Sequence, residues 1–462
     1  MGGWPAARVW LPALALALAG CRGTVKDVDR LVAARRLPEA LQRVEKGLLA
    51  SPPPSAVFWD LALRKAQILE RLIRREDALA WLGTLSSWRG ATPYQRYLLT
   101  VEKASIERDL AQYEAANRDL AAAVAVARAA GKPDWVARAD IRQAETYARL
   151  GQPVEAQRVL DEADQFKPER PEASLSPYIL NGRGLALLLA NRFEEAIPPL
   201  DRSLKECRTR KLTALSVKVM INLAWCEYRL GRSEEAAVLY NQALPLSSPE
   251  DRHLVLGHLG NIFRDRHEYA KAAQYYQQAA DLARGRNQDY YSRWLSNLAG
   301  TLCDEGQWTQ AQRINQLSFA VKKTIQAPRG APFETLNAAR IAAGEGHVQE
   351  AEADYQRLLA SNQIDPTPLV EGSGRLAQLY AATGRPKLAG HQFEDALAMV
   401  DSHRADLHED ENKLSYLAHL IDLHQQYVEF LAGQGDWEKA LTVAEGSRAR
   451  RQSDLPQLLD RP

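Results

Sequence analysis

The sequence predicts an all-α fold, a linear array of about eleven helix hairpins, and three observations carry that prediction. An alanine placed five positions after a turn residue returns at Ala40, Ala78, Ala115, Ala156, Ala196, Ala236, Ala272, Ala311, Ala351, Ala389 and Ala440. The intervals lie between 36 and 41 residues until the last, which is 51. A fixed period of that size marks a repeat architecture in which each unit buries its face on the next. Apolar residues follow helical spacing nearly everywhere after Cys21, and no Asn-Gly or Asp-Gly turn separates runs of alternating polarity. Proline and glycine stand where helices must start and stop.

The chain opens with an apolar stretch from Val9 to Leu18, preceded by Arg8 and interrupted by Pro12. It is too short to span a bilayer as a helix, and its length suits a secretory signal. Leu18-Ala19-Gly20-Cys21 closes it. That quartet resembles the lipobox of bacterial lipoproteins, which implies removal of residues 1–20 and lipid attached to the Cys21 sulfur. An ordinary cleaved signal, or an untranslated stretch from a misplaced start codon, is the alternative reading.

From residue 21 to 455 the units read as first helix, tight turn, second helix and looser loop. The clearest turns are Gly151-Gln-Pro-Val-Glu-Ala, Asn191-Arg-Phe-Glu-Glu-Ala, Gly231-Arg-Ser-Glu-Glu-Ala, His267-Glu-Tyr-Ala-Lys-Ala, Gly306-Gln-Trp-Thr-Gln-Ala, Gly346-His-Val-Gln-Glu-Ala, Gly384-Arg-Pro-Lys-Leu-Ala and Gly435-Asp-Trp-Glu-Lys-Ala. Glycine or asparagine past a helix end supplies the left-handed conformation that terminates it, and the acidic residues that follow suit the next helix dipole. Loops between units carry proline, as in Lys167-Pro168, Ser248-Pro249 and Asp365-Pro366-Thr367-Pro368.

Aligned on the turn, the eight clearest units show columns of small and large residues. Seven positions before it stand Ala144, Gly184, Ala224, Gly260, Ala299, Ala339, Ala377 and the exception Val428. Nine after it come Leu160, Leu200, Tyr240, Tyr276, Asn315, Tyr355, Phe393 and Ala444, and twelve after it Ala163, Ser203, Ala243, Ala279, Ser318, Leu358, Ala396 and Ser447. Small and large positions alternating at helical spacing let stacked hairpins interlock. This pattern resembles the tetratricopeptide repeat (TPR), over about Val25 to Arg451. The resemblance implies a right-handed TPR solenoid whose concave groove, lined by the first helices, takes protein or peptide partners.

The long last interval holds an acidic, His-containing segment and a lengthened helix. Glu411-Asn-Lys-Leu-Ser-Tyr416, Tyr427-Val-Glu-Phe-Leu431, Trp437-Glu-Lys-Ala-Leu441 and Ala444-Glu-Gly-Ser-Arg-Ala-Arg450, followed by Asp454-Leu455, resemble the last helices of the arrays that precede the peptidase of bacterial CHAT-domain proteins. The resemblance implies a regulatory array whose caspase-like peptidase is not in this chain. No catalytic position is carried over, and residues 456–462 are expected to form a tail.

Composition narrows the functional classes. Lys and Arg number 59 against 58 Asp and Glu, without the basic excess by which nucleic-acid binders neutralise phosphates. Cys207, Cys226 and Cys303 are widely separated and are expected to be small packing residues. No zinc-protease, nucleophile-elbow, phosphate-loop or dinucleotide motif occurs, so no cofactor is expected. Glu371-Gly-Ser-Gly-Arg375 lies inside an expected helix, where its glycines read as packing residues. His403, His408, Glu409 and Asp410 could be drawn as metal ligands but read as a solvated acidic loop, and His419 and His424 do not share a helical face. Arg448, Arg450 and Arg451 read as a solvated helix end.

By the geometry of the resembled family, Lys218, Trp225, Arg229, Asn261, Arg264, Arg293 and Arg340 are first-helix residues not consumed by packing. Cations with an asparagine and an aromatic suit a peptide bearing carboxylates, because an arginine fork grips a carboxylate with two parallel bonds. The expected function is a non-catalytic interaction scaffold binding a peptide or protein, with no nucleic acid and no membrane contact beyond a lipid at Cys21. If the signal is used, the location is the bacterial cell envelope, with the periplasmic face of the outer membrane favoured by Arg22 in place of the Asp that marks inner-membrane retention. If it is not, the location is cytoplasmic.

Overall fold

A computed structural model describes residues 24–51, 55–86, 91–170, 173–324, 331–361, 367–406 and 423–454. Cys21, the segment holding His408, Glu409, Asp410 and His419, and the tail 456–462 lie outside those residues, as do the side chains of His403, Arg448, Arg450 and Arg451. Among the described residues every regular element is a helix, with no strand. None of these helices is long and apolar enough to cross a membrane.

The chain divides into two compact units, one ending at Ala190 and the other starting at Asn191. The first contains α1 (24–33), α2 (Leu37–Ala50), α3 (Ala56–Arg71), α4 (Arg75–Ser86), α5 (Pro93–Asp109), α6 (Tyr113–Ala129), α7 (Pro133–Arg149), α8 (Pro153–Asp164) and α9 (Ser176–Leu189). The second contains α10 (Phe193–Thr209), α11 (Thr213–Arg229), α12 (Ser233–Ala243), α13 (Pro249–Asp265), α14 (Tyr269–Ala283), α15 (Gln288–Asp304) and α16 (Trp308–Thr324). It continues with α17 (Pro332–Gly344), α18 (Val348–Leu359), α19 (Thr367–Ala382), α20 (Pro386–Asp406), α21 (423–433) and α22 (Trp437–Asp454). Within each unit the helices pack mainly on their neighbours in sequence, as a stack of hairpins does.

The tight turns share one backbone solution. The residue five before each hairpin alanine has positive φ: Gly151, Gly231, Gly306, Gly346, Gly384 and Gly435, and also Arg35, Ile73, Ala111, Asn191 and His267. The first three hairpins therefore make the same left-handed turn without glycine. This fixes the third alanine as Ala116, five after Ala111. Ala116 is fully buried and Ala115 only half-buried, which corrects the expected register by one residue. With that change the alanines of the column are fully buried, down to Ala440 at 5% exposure.

The other columns pack as their sizes dictate. Ala144, Ala224, Ala299, Ala339 and Ala377 are buried on first helices, and Leu160, Leu200, Tyr240, Tyr276, Tyr355 and Phe393 are buried on second helices. Gly182 and Leu160 show the reason for a glycine at such a contact, since a Cβ on Gly182 would stand 2.9 Å from Cδ2 of Leu160. Gly372, in the Glu371–Arg375 stretch of α19, is packed in the same way against Leu358. Cys207, Cys226 and Cys303 are free thiols in the core; burial pushes Cys226 up to about 12 and Cys303 up to about 11.

One interface departs from apolar packing. On α16 the large and small columns carry Asn315 and Ser318, which donate to the carbonyl of Glu334 at 2.8 Å and to its carboxylate at 2.7 Å. Glu334 is fully buried on α17, and Lys322 of α16 reaches its other oxygen at 3.2 Å. A buried carboxylate is tolerated here because a cation and hydrogen-bond donors surround it.

Candidate functional site

A cleft of about 560 Å³ opens within the second unit. Its walls come mainly from α11, α13, α15, α17 and α19, the first helices of successive hairpins, with Leu423 and Gln426 of α21 at one end. Three spacings from the turn recur in the lining. Nine before it are Asn297, Asn337, Arg375 and Gln426; six before it are Gly300 and Arg340; two before it are Arg229, Asp265 and Asp304. These positions share one helix face, as steps of three or four residues require.

The charges in the cleft are linked across four hairpins. Arg264 of α13 donates from Nε to Oδ2 of Asp304 on α15 at 2.8 Å. Arg340 of α17 donates from Nη2 to the other carboxylate oxygen of Asp304. The second terminal nitrogen of Arg340 lies 3.7 Å from Glu371 of α19, and Nε of Arg375 lies 3.9 Å from the same oxygen. The last two separations are ion pairs rather than hydrogen bonds. Arg340 is only 6% exposed, whereas Glu371 and Arg375 are about one-third exposed.

The titration of this chain of charges follows from its geometry. Burial raises the Asp304 carboxyl, but Arg264 and Arg340 outweigh it and hold the group below the usual range. Glu371 behaves alike, burial being overcome by Arg340, Arg375 and Arg264. Burial lowers Arg264 and Arg340, and the facing carboxylates more than reverse this. Asp304, Glu371, Arg264 and Arg340 are therefore charged at neutral pH.

Around that chain lie hydrogen-bonded polar groups. Tyr228 donates to Asp265 at 2.7 Å. Asn261 accepts from Tyr276 at 2.7 Å and from Asn297 at 3.3 Å. Asn337 donates to the carbonyl of Ser296 at 2.9 Å. Tyr269 and His267 meet at 2.7 Å on the rim. Four arginines, Arg229, Arg264, Arg340 and Arg375, face three carboxylates, Asp265, Asp304 and Glu371, in this lining.

Of the residues expected from sequence, the cleft brings together Arg229, Arg264 and Arg340. Asn261 stands behind the lining through its bond to Asn297. Lys218 and Arg293 are exposed and outside the lining, Arg293 being paired with Asp289 at 3.7 Å. Trp225 is outside it as well, its ring 4.6 Å from that of His258. Burial, with Arg293 and His253 adding, pushes His258 down to about 3, so this aromatic contact is made by a neutral imidazole. Among the described residues no group of three His, Cys, Asp or Glu could hold a metal ion. His424, expected as a surface or packing residue, is buried on α21.

Sequence reasoning missed Asp304, Glu371 and Arg375. The available signal was spacing: Asn297, Asn337 and Arg375 stand at one column of three successive hairpins.

Two family models described as tetratricopeptide repeat match residues 255–290 and 336–405. Similar solved structures include a tetratricopeptide repeat protein from Parabacteroides merdae, 14% identical over 60% of this chain and 98% of that one, with a TM-score of 0.45. The apo quorum sensor NprR from B. thuringiensis is 13% identical over 82% of this chain and 99% of that one, with a TM-score of 0.46. A Rap protein complexed with competence and sporulation factor is 12% identical over 95% of this chain and 99% of that one, with a TM-score of 0.44. No match to a curated protein sequence is found. Residues 255–290 and 336–405, which contribute Arg264, Arg340, Glu371 and Arg375 to the cleft, are tetratricopeptide repeats within a longer run of helix hairpins.

Proposed function

We propose that the protein is an interaction scaffold that binds a peptide or protein segment in the cleft between α11 and α19. The observation that carries this reading is the state of the arginines. Among the described residues Arg375 makes no hydrogen bond from its guanidinium, and Arg340, held by Asp304, makes one from a single terminal nitrogen while the other stands 3.7 Å from Glu371, so both line the cleft with donors to spare. Preorganised donors lose little on binding, which is how a rigid groove gains affinity.

The test is selection of short peptides on the immobilised full-length protein, followed by fluorescence anisotropy with wild type, Arg375→Glu and Arg340→Met. Binding should weaken by about tenfold or more in both variants, with thermal melting showing that each is folded. Peptides that bind all three proteins equally would place recognition elsewhere and sink the reading.

A second reading rests on the Ala444–Arg450 stretch and the long interval before it: the array regulates a CHAT-type peptidase. Searching the DNA beyond the codon of Pro462 for a peptidase frame tests it, and an ordinary stop without such a frame removes it. We also propose export and lipid attachment at Cys21, facing the periplasm from the outer membrane. Equal incorporation of labelled fatty acid by wild type and Cys21→Ser would refute that anchor.

A further inference from the structure

The α15/α16 and α17/α18 hairpins meet across a seam unlike the seams on either side of it. Where α14 packs on α15, Tyr276, Ala279 and Ala283 join Trp294 and Leu298 in one apolar cluster. Where α18 packs on α19, Tyr355 and Leu358 join Leu376 and Tyr380 in another. On α16 the columns that carry Tyr276 and Ala279 hold Asn315 and Ser318 instead, and the side chain they meet on α17 is the fully buried Glu334. The apolar core is divided at this place. Among the described residues the α13–α16 cluster reaches α17 through Ile341 alone, and a separate cluster starts on α17 with Leu336, Ala339 and Ala342.

The two ends of the seam are built differently. At the end of the tight turns, Trp308 of α16 lies so close to Gly344 of α17 that a Cβ on the glycine would stand 2.4 Å from the indole. Ile341 precedes that glycine by about one turn. At the opposite, loop end the contacts are polar and imperfectly served. Lys322 and Ser318 reach the two carboxylate oxygens of Glu334 at 3.2 and 2.7 Å. The Ser318 hydroxyl also lies 2.9 Å from the carbonyl of Ser292, and one O–H proton serves one acceptor at a time. Asn315 donates from its amide nitrogen to the carbonyl of Glu334, while its buried Oδ1 has no hydrogen-bond partner among the described residues. Parting an apolar seam exposes rings and methyls to water with no return. Parting this one rehydrates a buried carboxylate and ammonium and brings water donors to the underserved oxygens, so its loop end opens more readily than the seams beside it.

We infer that the α16/α17 seam is a hinge within the second unit, in which Trp308 on Gly344 is the pivot and Glu334 with Asn315, Ser318 and Lys322 is a polar latch that opens to water. Opening the latch moves Phe333, Leu336 and Asn337 of α17 away from Ser296 and Asn297 of α15, which widens the loop end of the cleft and breaks the bond from Asn337 to the Ser296 carbonyl. Asp304 and Arg340 stand nearer the pivot and keep theirs. The hinge goes beyond the reading of the cleft as a partner site and does not depend on it, since the latch lies between the hairpins and needs no ligand.

Hydrogen exchange read by mass spectrometry on the full chain, without any ligand, tests the hinge. Amides from Asn315 to Val321 of α16 should exchange about tenfold or more faster than those from Tyr276 to Leu282, the same positions of α14. The comparison is a strict one, because α14 ends sooner after these positions than α16 does. Asn315→Leu/Ser318→Ala/Glu334→Leu, which makes the latch apolar, should remove the difference. Spin labels at the exposed positions of Asp281→Cys and Ala360→Cys, near the loop end, should give a broad or two-peaked distance distribution. Labels at Ala270→Cys and Gln349→Cys, near the pivot, should give a single narrow one. Equal exchange of the two stretches in the wild type would overturn the hinge, and so would one narrow distance at both ends. Broad distances at both ends would overturn it too, because the seam would then be loose without a pivot. If the triple variant does not fold, the wild-type exchange and the two distance distributions decide the question alone.

Discussion

Tyr276 lies so close to Gly260 that a Cβ on the glycine would stand 2.8 Å from a ring carbon of the tyrosine. The ring is fully buried between α13 and α14, and its hydroxyl is fixed by Asn261, so it cannot swing aside without breaking a bond. Gly260→Ala should therefore destabilise the protein by about 1–3 kcal/mol through overpacking, seen as a lower urea midpoint. Tyr276→Phe keeps the ring and should cost only about 1 kcal/mol for the lost hydrogen bond. An unchanged midpoint in Gly260→Ala would mean that the hairpin can open at this contact without cost.

Ile73 turns the chain between α3 and α4 with φ at 66°. A β-branched residue in that region carries a steric cost of about 1–2 kcal/mol, and at 37% exposure its side chain recovers little by burial. Ile73→Gly should raise stability by up to about 1 kcal/mol, the relief of strain outweighing the extra freedom of the unfolded chain. Equilibrium unfolding of the variant beside Gly151→Ala, where the opposite sign is expected, checks the turn geometry in both directions.

Glu70, on α3, has its carboxyl pushed up to about 7 by burial and by the neighbouring carboxylates Glu102 and Asp109, with Arg75 and Arg108 opposing. The folded chain thus holds this proton more tightly than the unfolded chain, whose value is near 4.5. Below pH 4.5 both states are protonated and the group imposes no penalty. Between 4.5 and 7 stability falls as pH rises, and above 7 the penalty is complete. Glu70→Gln should consequently be more stable than wild type above pH 7, by on the order of 1 kcal/mol, and similar to it below pH 4.5. Denaturation curves for both proteins at several pH values give the slope directly.

The hairpins were legible in the sequence because their packing is local. Small residues at Ala144 or Ala339 and knobs at Tyr240 or Phe393 repeat at distances that a helix surface dictates, and the structure buries them. The register slip at Ala115 arose where Ala115 and Ala116 stand side by side and Ala111 replaces the glycine of the turn. Backbone φ, invisible in residue names, settles it. The cleft was legible only in part. Arg264 and Arg340 stand out as cations on first helices, but Asp304 sits two residues before a turn, where a carboxylate resembles any solvated helix end. Its partners lie 40 and 36 residues away, so only stacking reveals the pairing. Trp225 has the look of a binding aromatic, yet its ring is engaged by His258.

The links Arg264, Asp304, Arg340 and Glu371 are each drawn from a different hairpin, in the order α13, α15, α17 and α19. The site is thus written in the sequence of repeats and not in any one of them. Exchanging the α15/α16 and α17/α18 hairpins would preserve every turn and every hairpin alanine while setting Arg340 beside Arg264 and Asp304 beside Glu371. A chain shuffled in this way would keep its building blocks and lose the message carried by their order.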